Sequence, residues 1–168
     1  MLSTVTAPVL QSVRVPTTDV DLVFGLGSGA VGAFVSTLIV GAILVAIAPD
    51  YVERIMDAVR EDPLTSFLYG LLAIVLVVVL IVALVITIVG ILLVPILGLV
   101  VGLVWAVGAA IAFLAIADRL VDHRDGWFVP LLVAAAINGG LTLTGIGGLV
   151  SFAVGAAGFG AILSDRFG

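Results

Sequence analysis

Between Pro63 and Ala117 the chain runs for 55 residues without an Asp, Glu, Lys, Arg or His. One helix of that length would extend about 80 Å, whereas the hydrocarbon core of a bilayer is roughly 30 Å thick. The run therefore holds two crossings and a turn. Two further stretches, residues 22–48 and 127–164, are also free of charge. The chain is 63% hydrophobic and 10% charged, against about 45–50% and about 25% in soluble domains. A soluble domain of this size exposes too much of its surface to water to hide so many apolar residues. Disorder is excluded as well, because it needs low hydrophobicity and high charge. In lipid the backbone must satisfy its own hydrogen bonds, which selects helices even from Val- and Ile-rich runs. The fold class is all-α, a polytopic integral membrane helical bundle.

Residues 1–21 read as a polar tail interrupted by Pro8 and Pro16. The span that follows, about 22–48, is too long for a signal-peptide core of about 7–15 residues. Ala46-Ile47-Ala48 mimics a cleavage site, but Pro49 follows directly and the span reads as uncleaved. Thr87-Ile88-Val89-Gly90, with Pro95 beyond it, marks the break in the longest run. It predicts spans near 66–87 and 92–117. The last charge-free stretch is short for two crossings and long for one. Two short helices, 127–141 and 147–163, are expected across a glycine-rich turn, with a re-entrant hairpin as the alternative. Four to five transmembrane helices result, and residues 164–168 form a C-terminal tail.

The segment 50–62 is the one amphipathic stretch. Tyr51, Val52, Ile55, Met56 and Val59 share a face at helical spacing, and Asp50, Glu53, Arg54, Asp57, Arg60 and Glu61 occupy the rest. Such a helix lies at the membrane interface or connects spans. Its sharper reading is a docking surface for a cytoplasmic partner, carried by Ile55, Val59, Arg54 and Arg60.

All six basic residues are Arg, and eleven acidic residues bring the net charge to −5. That balance gives no footprint for nucleic acid and no polybasic lipid anchor. The acidic, lysine-free, Ala/Val/Gly-rich composition resembles that of halophilic archaeal proteins, with a GC-rich bacterium as the alternative source. With five spans, Arg54, Arg60, Arg119, Arg124 and Arg166 fall on one side and Arg14 on the other. The positive-inside rule then sets the N-terminus outside and the C-terminus in the cytoplasm.

Small residues recur every four positions in three stripes: Gly25, Gly29, Ala33, Thr37 and Gly41; Gly98, Gly102, Ala106 and Ala110; Gly147, Ser151 and Gly155. Such stripes let helix backbones approach closely, inside one chain or between copies. Asn138, Thr142 and Thr144 are the polar intramembrane candidates for a broken-helix site. Gly25-Leu26-Gly27-Ser28-Gly29-Ala30 superficially follows a nucleotide loop, but no strand precedes it and the chain has no Lys. His123, beside Asp122 and Asp125, lacks a second nitrogen ligand in sequence. With no Cys, no Lys and one His, no catalytic, metal or cofactor arrangement is evident.

The order of these features resembles the polytopic membrane domain that accompanies bactofilin-like, polymer-forming cytoskeletal proteins. The elements are Ala48-Pro49, the 50–62 helix, Asp62-Pro63, Tyr69-Gly70-Leu71-Leu72, Ile86-Thr87-Ile88-Val89-Gly90, and Thr144-Gly145-Ile146-Gly147-Gly148 with Gly158-Phe159-Gly160-Ala161. They cover roughly residues 40–163. The polymer-forming β-solenoid has no counterpart here, Pro95 comes later than the pattern expects, and the final turn lacks a Pro. The resemblance implies a membrane-integrated scaffold or anchor and supplies no reaction.

The expected function is thus structural, with a small oligomeric channel or facilitator as the alternative. The expected partners are the lipid bilayer, further copies of the chain and a cytoplasmic protein, with no nucleic acid. On this reading, replacing Ile55 and Val59 with Asp detaches the cytoplasmic partner.

Overall fold

The computed structural model describes residues 17–121, 126–144 and 146–167. The described residues form six helices and no strand: α1 (Thr17–Ile47), α2 (Pro49–Glu61), α3 (Pro63–Val85), α4 (Ile88–Asp118), α5 (Phe128–Leu143) and α6 (Gly147–Phe167). Four of them contain segments long and apolar enough to cross a membrane: Gly25–Ile47, Pro63–Val85, Val89–Asp118 and Gly147–Arg166. The protein is a multi-pass membrane helical bundle. α5, with 16 residues, extends about 24 Å and is short of a full hydrocarbon core.

Local chemistry sets the boundaries. Pro49 and Pro63 stand at the first positions of α2 and α3, where a missing N–H removes no helical bond. Asp62 caps α3, accepting from the Thr65 backbone N–H at 3.0 Å and from its hydroxyl at 2.6 Å. These two bonds hold the Asp62 carboxyl below its ordinary pKa, the hydroxyl contributing most. Thr87 donates its hydroxyl to the Leu84 carbonyl and accepts from the Gly90 N–H, both at 2.9 Å, so one side chain ends α3 and starts α4. The α5–α6 turn repeats the device: Thr144 donates to the Leu141 carbonyl at 2.8 Å, and Gly147 N–H reaches the Thr144 carbonyl at 2.9 Å. A Cβ at Gly90 would collide with the Leu84 carbonyl, and one at Gly147 with the Leu141 carbonyl.

Several boundaries move from the sequence expectation, and α6 runs on to Phe167, through most of the expected C-terminal tail 164–168. α1 begins at Thr17 and absorbs five residues of the expected polar tail. α3 begins at Pro63 because Asp62 caps it there, and α4 begins at Ile88 because Thr87 caps it.

Along the chain α1, α3, α4, α5 and α6 alternate in direction. α5 runs antiparallel along α1, with Leu131 against Gly41, Asn138 against Thr37 and Thr142 against Gly29. α6 lies between α3 and α4, antiparallel to the first and parallel to the second. Gly70 of α3 meets the backbone of Ala156 and Gly160, Ser66 meets Gly160, and Gly108 of α4 meets the backbone of Gly158. α3 and α4 are therefore joined at the Thr87 turn, where one ends and the other starts, and are held apart by α6 at the other end. α2 closes that end. Its Val52, Ile55 and Met56 join Ile111, Phe113 and Leu114 of α4, Leu131 of α5 and Ala161 of α6 in the core.

Backbone contact at glycine makes a sharp contrast between sites. Gly160→Ala places a methyl against the Ser66 carbonyl and is expected to lower stability by about 1–3 kcal/mol, the usual range for an overpacked site. Gly102→Ala meets nothing within 4 Å and should leave stability unchanged or slightly raised. Thermal unfolding of the two variants in detergent separates them; equal midpoints would contradict the glycine seam.

Candidate functional site

The chemistry-bearing side chains collect in two places. The first is the seat of α2. Val52, Ile55 and Met56 are fully buried by the rest of the chain. Tyr51 and Val59 lie partly buried beside them. The expected docking face is corrected accordingly: Ile55 is a core residue because the amphipathic face closes on the ends of α4 and α6 instead of standing free.

The two arginines of α2 lock it in place. Arg60 ion-pairs with Asp118 at the end of α4 and donates Nε–H to the Ala115 carbonyl at 3.4 Å. A guanidinium at a helix C-terminus meets carbonyls that have no partner in the helix. Asp57 lies 3.6 Å from the same guanidinium. Arg119 returns a bond to the Arg60 carbonyl at 3.2 Å. At the other end of α2, Arg54 pairs with Asp165 of α6 at 2.9 Å and stacks over the Tyr51 ring. Burial and the Asp165 charge push the Tyr51 hydroxyl above its ordinary pKa, with Arg54 and Arg166 opposing. Asp50, Glu53, Asp57 and Glu61 remain on the exposed outer face.

The second place is a polar node among the spans. Asn138 donates Nδ2–H to the Thr37 hydroxyl at 2.8 Å, and its carbonyl oxygen accepts from Ser151 at 3.1 Å. α1, α5 and α6 are thereby joined through one amide. Thr37 is 4% exposed, so the pair is satisfied inside the bundle. Thr142 donates to the Asn138 backbone carbonyl at 2.8 Å. Thr144 is used by the turn. The three polar residues expected at a broken helix thus have separate tasks: one helix junction, one bond within α5 and one helix end.

The small-residue stripes divide similarly. Gly41 faces Leu131, Gly155 faces the Trp105 indole and Gly29 faces Thr142, all within the chain. Gly147 belongs to the turn, and Ser151 to the Asn138 node. Gly25, Gly98 and Gly102 have nothing within 4 Å. Gly98 and Gly102 line an apolar crevice of about 450 Å³ between α3, α4 and α6, together with Trp105, Phe152 and Phe159. Trp105 contacts both phenyl rings, with centroids 5.4 and 5.9 Å away. The closest helix contacts use Gly70, Gly108, Gly158 and Gly160, none of which belongs to the stripes. The spacing Gly155-x-x-Gly158-x-Gly160 is the signal that could have pointed to α6 as their shared partner.

His123, Asp122, Arg124 and Asp125 lie outside the described residues, as do Arg14 and Gly145. Among the described residues no three His, Asp or Glu gather in a metal-binding group.

A family model described as a domain of unknown function (DUF8173) matches residues 1–168. No curated protein and no solved structure matches the chain.

Two outcomes follow from this geometry. Ile55→Asp buries an unpaired carboxylate, which costs several kcal/mol. The detergent-solubilised protein should lose its sharp elution peak, so loss of a partner with this variant would report unfolding. For the node, a double-mutant cycle of Asn138→Ala and Thr37→Val should return a coupling of about 0.6–1.7 kcal/mol, the span seen for interhelical bonds in membranes. Strict additivity of the two melting shifts would rule the bond out.

Proposed function

We propose that this chain, which belongs to the DUF8173 family, is a structural scaffold of the membrane. The observation that carries the reading is the use to which its polar side chains are put. The Asn138 node joins spans, Thr87 and Thr144 form turns, Ser28 and Ser36 bond their own helix, and Arg54 and Arg60 hold α2 to α4 and α6. The punctuation shared with membrane domains that accompany polymer-forming cytoskeletal proteins supports the same role. A scaffold needs a rigid surface outside the lipid, and α2 supplies one. Its exposed carboxylates at Asp50, Asp57 and Glu61 favour a basic segment of a protein partner.

The Arg distribution supports a cytoplasmic location for this face, and the lysine-free acidic composition supports a halophilic archaeal source. A second reading, a small oligomeric channel or facilitator, draws on Gly98 and Gly102. Their crevice is left open by the chain itself and could receive a helix of another copy.

Reconstitution into liposomes decides between these two. The scaffold reading expects ion and glycerol leakage equal to that of protein-free vesicles. Leakage that rises with protein density and falls in Gly98→Leu would overturn it in favour of the channel.

A further inference from the structure

The α2 end of the bundle holds a cavity of about 300 Å³ that borders the seat of α2 and shares Val59, Arg60 and Ala115 with it. Val59, Pro63 and Phe67 line one side, Ala112 and Ile116 of α4 another, and Ala157 of α6 the floor. The volume is at the lower end of the about 300–1,000 Å³ of small-molecule sites. It exists because α6 holds α3 and α4 apart with alanines and glycines, which leave space between the helices that they separate. Arg60 and Arg119 complete the lining where α4 stops.

The order of these groups along the membrane normal is that of an amphiphile. Apolar lining lies beside the spans, and two guanidinium groups lie at the helix ends. We propose that the cavity binds one anionic phospholipid, with an apolar lipid tail between α3, α4 and α6 and its phosphate on Arg119.

Arg60 is already matched by Asp118 and Asp57. Arg119 differs. Among the described residues its guanidinium bonds only the Arg60 carbonyl, and no carboxylate stands within 4.0 Å of it. A guanidinium carries five N–H donors in a fork that fits a phosphate in bidentate fashion. Arg119 is also exposed, so a headgroup can reach it. Basic pockets between helices at a membrane face are a recurring way to hold anionic headgroups. The apolar lining supplies what a free phosphate could not use, so the occupant is a lipid and not a soluble anion.

The test uses the full chain in nonionic detergent, read by native mass spectrometry. Dioleoyl phosphatidylglycerol should be retained at one molecule per chain, and dioleoyl phosphatidylcholine stripped under the same conditions. Glycerol 3-phosphate, the headgroup without a chain, should not be retained. Arg119→Gln should weaken phosphatidylglycerol retention about tenfold, as expected for the loss of a charge-assisted bond. Ala157→Phe, which fills the floor, should abolish retention while circular dichroism remains helical. If Ala157→Phe does not fold, the exposed Arg119→Gln decides alone. Equal retention of the two lipids, binding of the headgroup alone, or unchanged retention in Arg119→Gln would each overturn the proposal.

Discussion

A charged side chain near a bilayer must reach water or find a partner, and in this bundle that constraint is met at one end. There α2 places Arg60 on Asp118 and Ala115 of α4, and Arg54 on Asp165 of α6. The same helix turns Val52, Ile55 and Met56 inward, so its apolar face and its charged face act together. Without this seat the last turns of α4 and α6 would lack their guanidinium partners, and the buried cluster around Phe113 and Leu114 would open to water. Exposed ion pairs contribute little. The Arg60–Asp118 pair is different because its side chains are 23% and 10% exposed and accompany a sealed apolar contact.

The rest of the architecture follows from where α6 runs. Glycines at 70, 108, 158 and 160 allow backbone-to-backbone contact on both sides of α6. Lipid removes much of the hydrophobic incentive for helices to associate, so close van der Waals contact and interhelical hydrogen bonds carry more of the cohesion. The Asn138 node adds the second kind between α1, α5 and α6. With α6 between them, α3 and α4 diverge from the Thr87 turn. This leaves two cavities of different chemistry, an apolar crevice at Gly98 and Gly102, and one at the α2 end that carries Arg60 and Arg119.

Much of this was legible in the chain. Charge-free runs delimit the spans, because charge is excluded from lipid independently of tertiary contacts. Pro49, Pro63 and Thr87 mark helix ends through local rules, and they do so within a few residues. What was not legible was pairing. A stripe of small residues names a helix face but not the helix that meets it, so Gly98 and Gly102 promised contact and line open space. Gly70 and Gly108 promised little and sit against α6. The apolar face of α2 has the pattern of an interfacial or docking helix, since amphipathic spacing is the same whether the surface that covers it belongs to lipid, a partner or the chain's own spans.

A sealed α2 turns its carboxylates outward on a fixed base, which is the property a scaffold needs. Hydrogen exchange in detergent tests this most directly. The account expects the amides of Val52 to Val59 to be protected to the same degree as those of Ile111 to Ala117 in α4. Exchange of α2 within seconds, while α4 stays protected, would mean that α2 lies free on the membrane surface and would contradict the account.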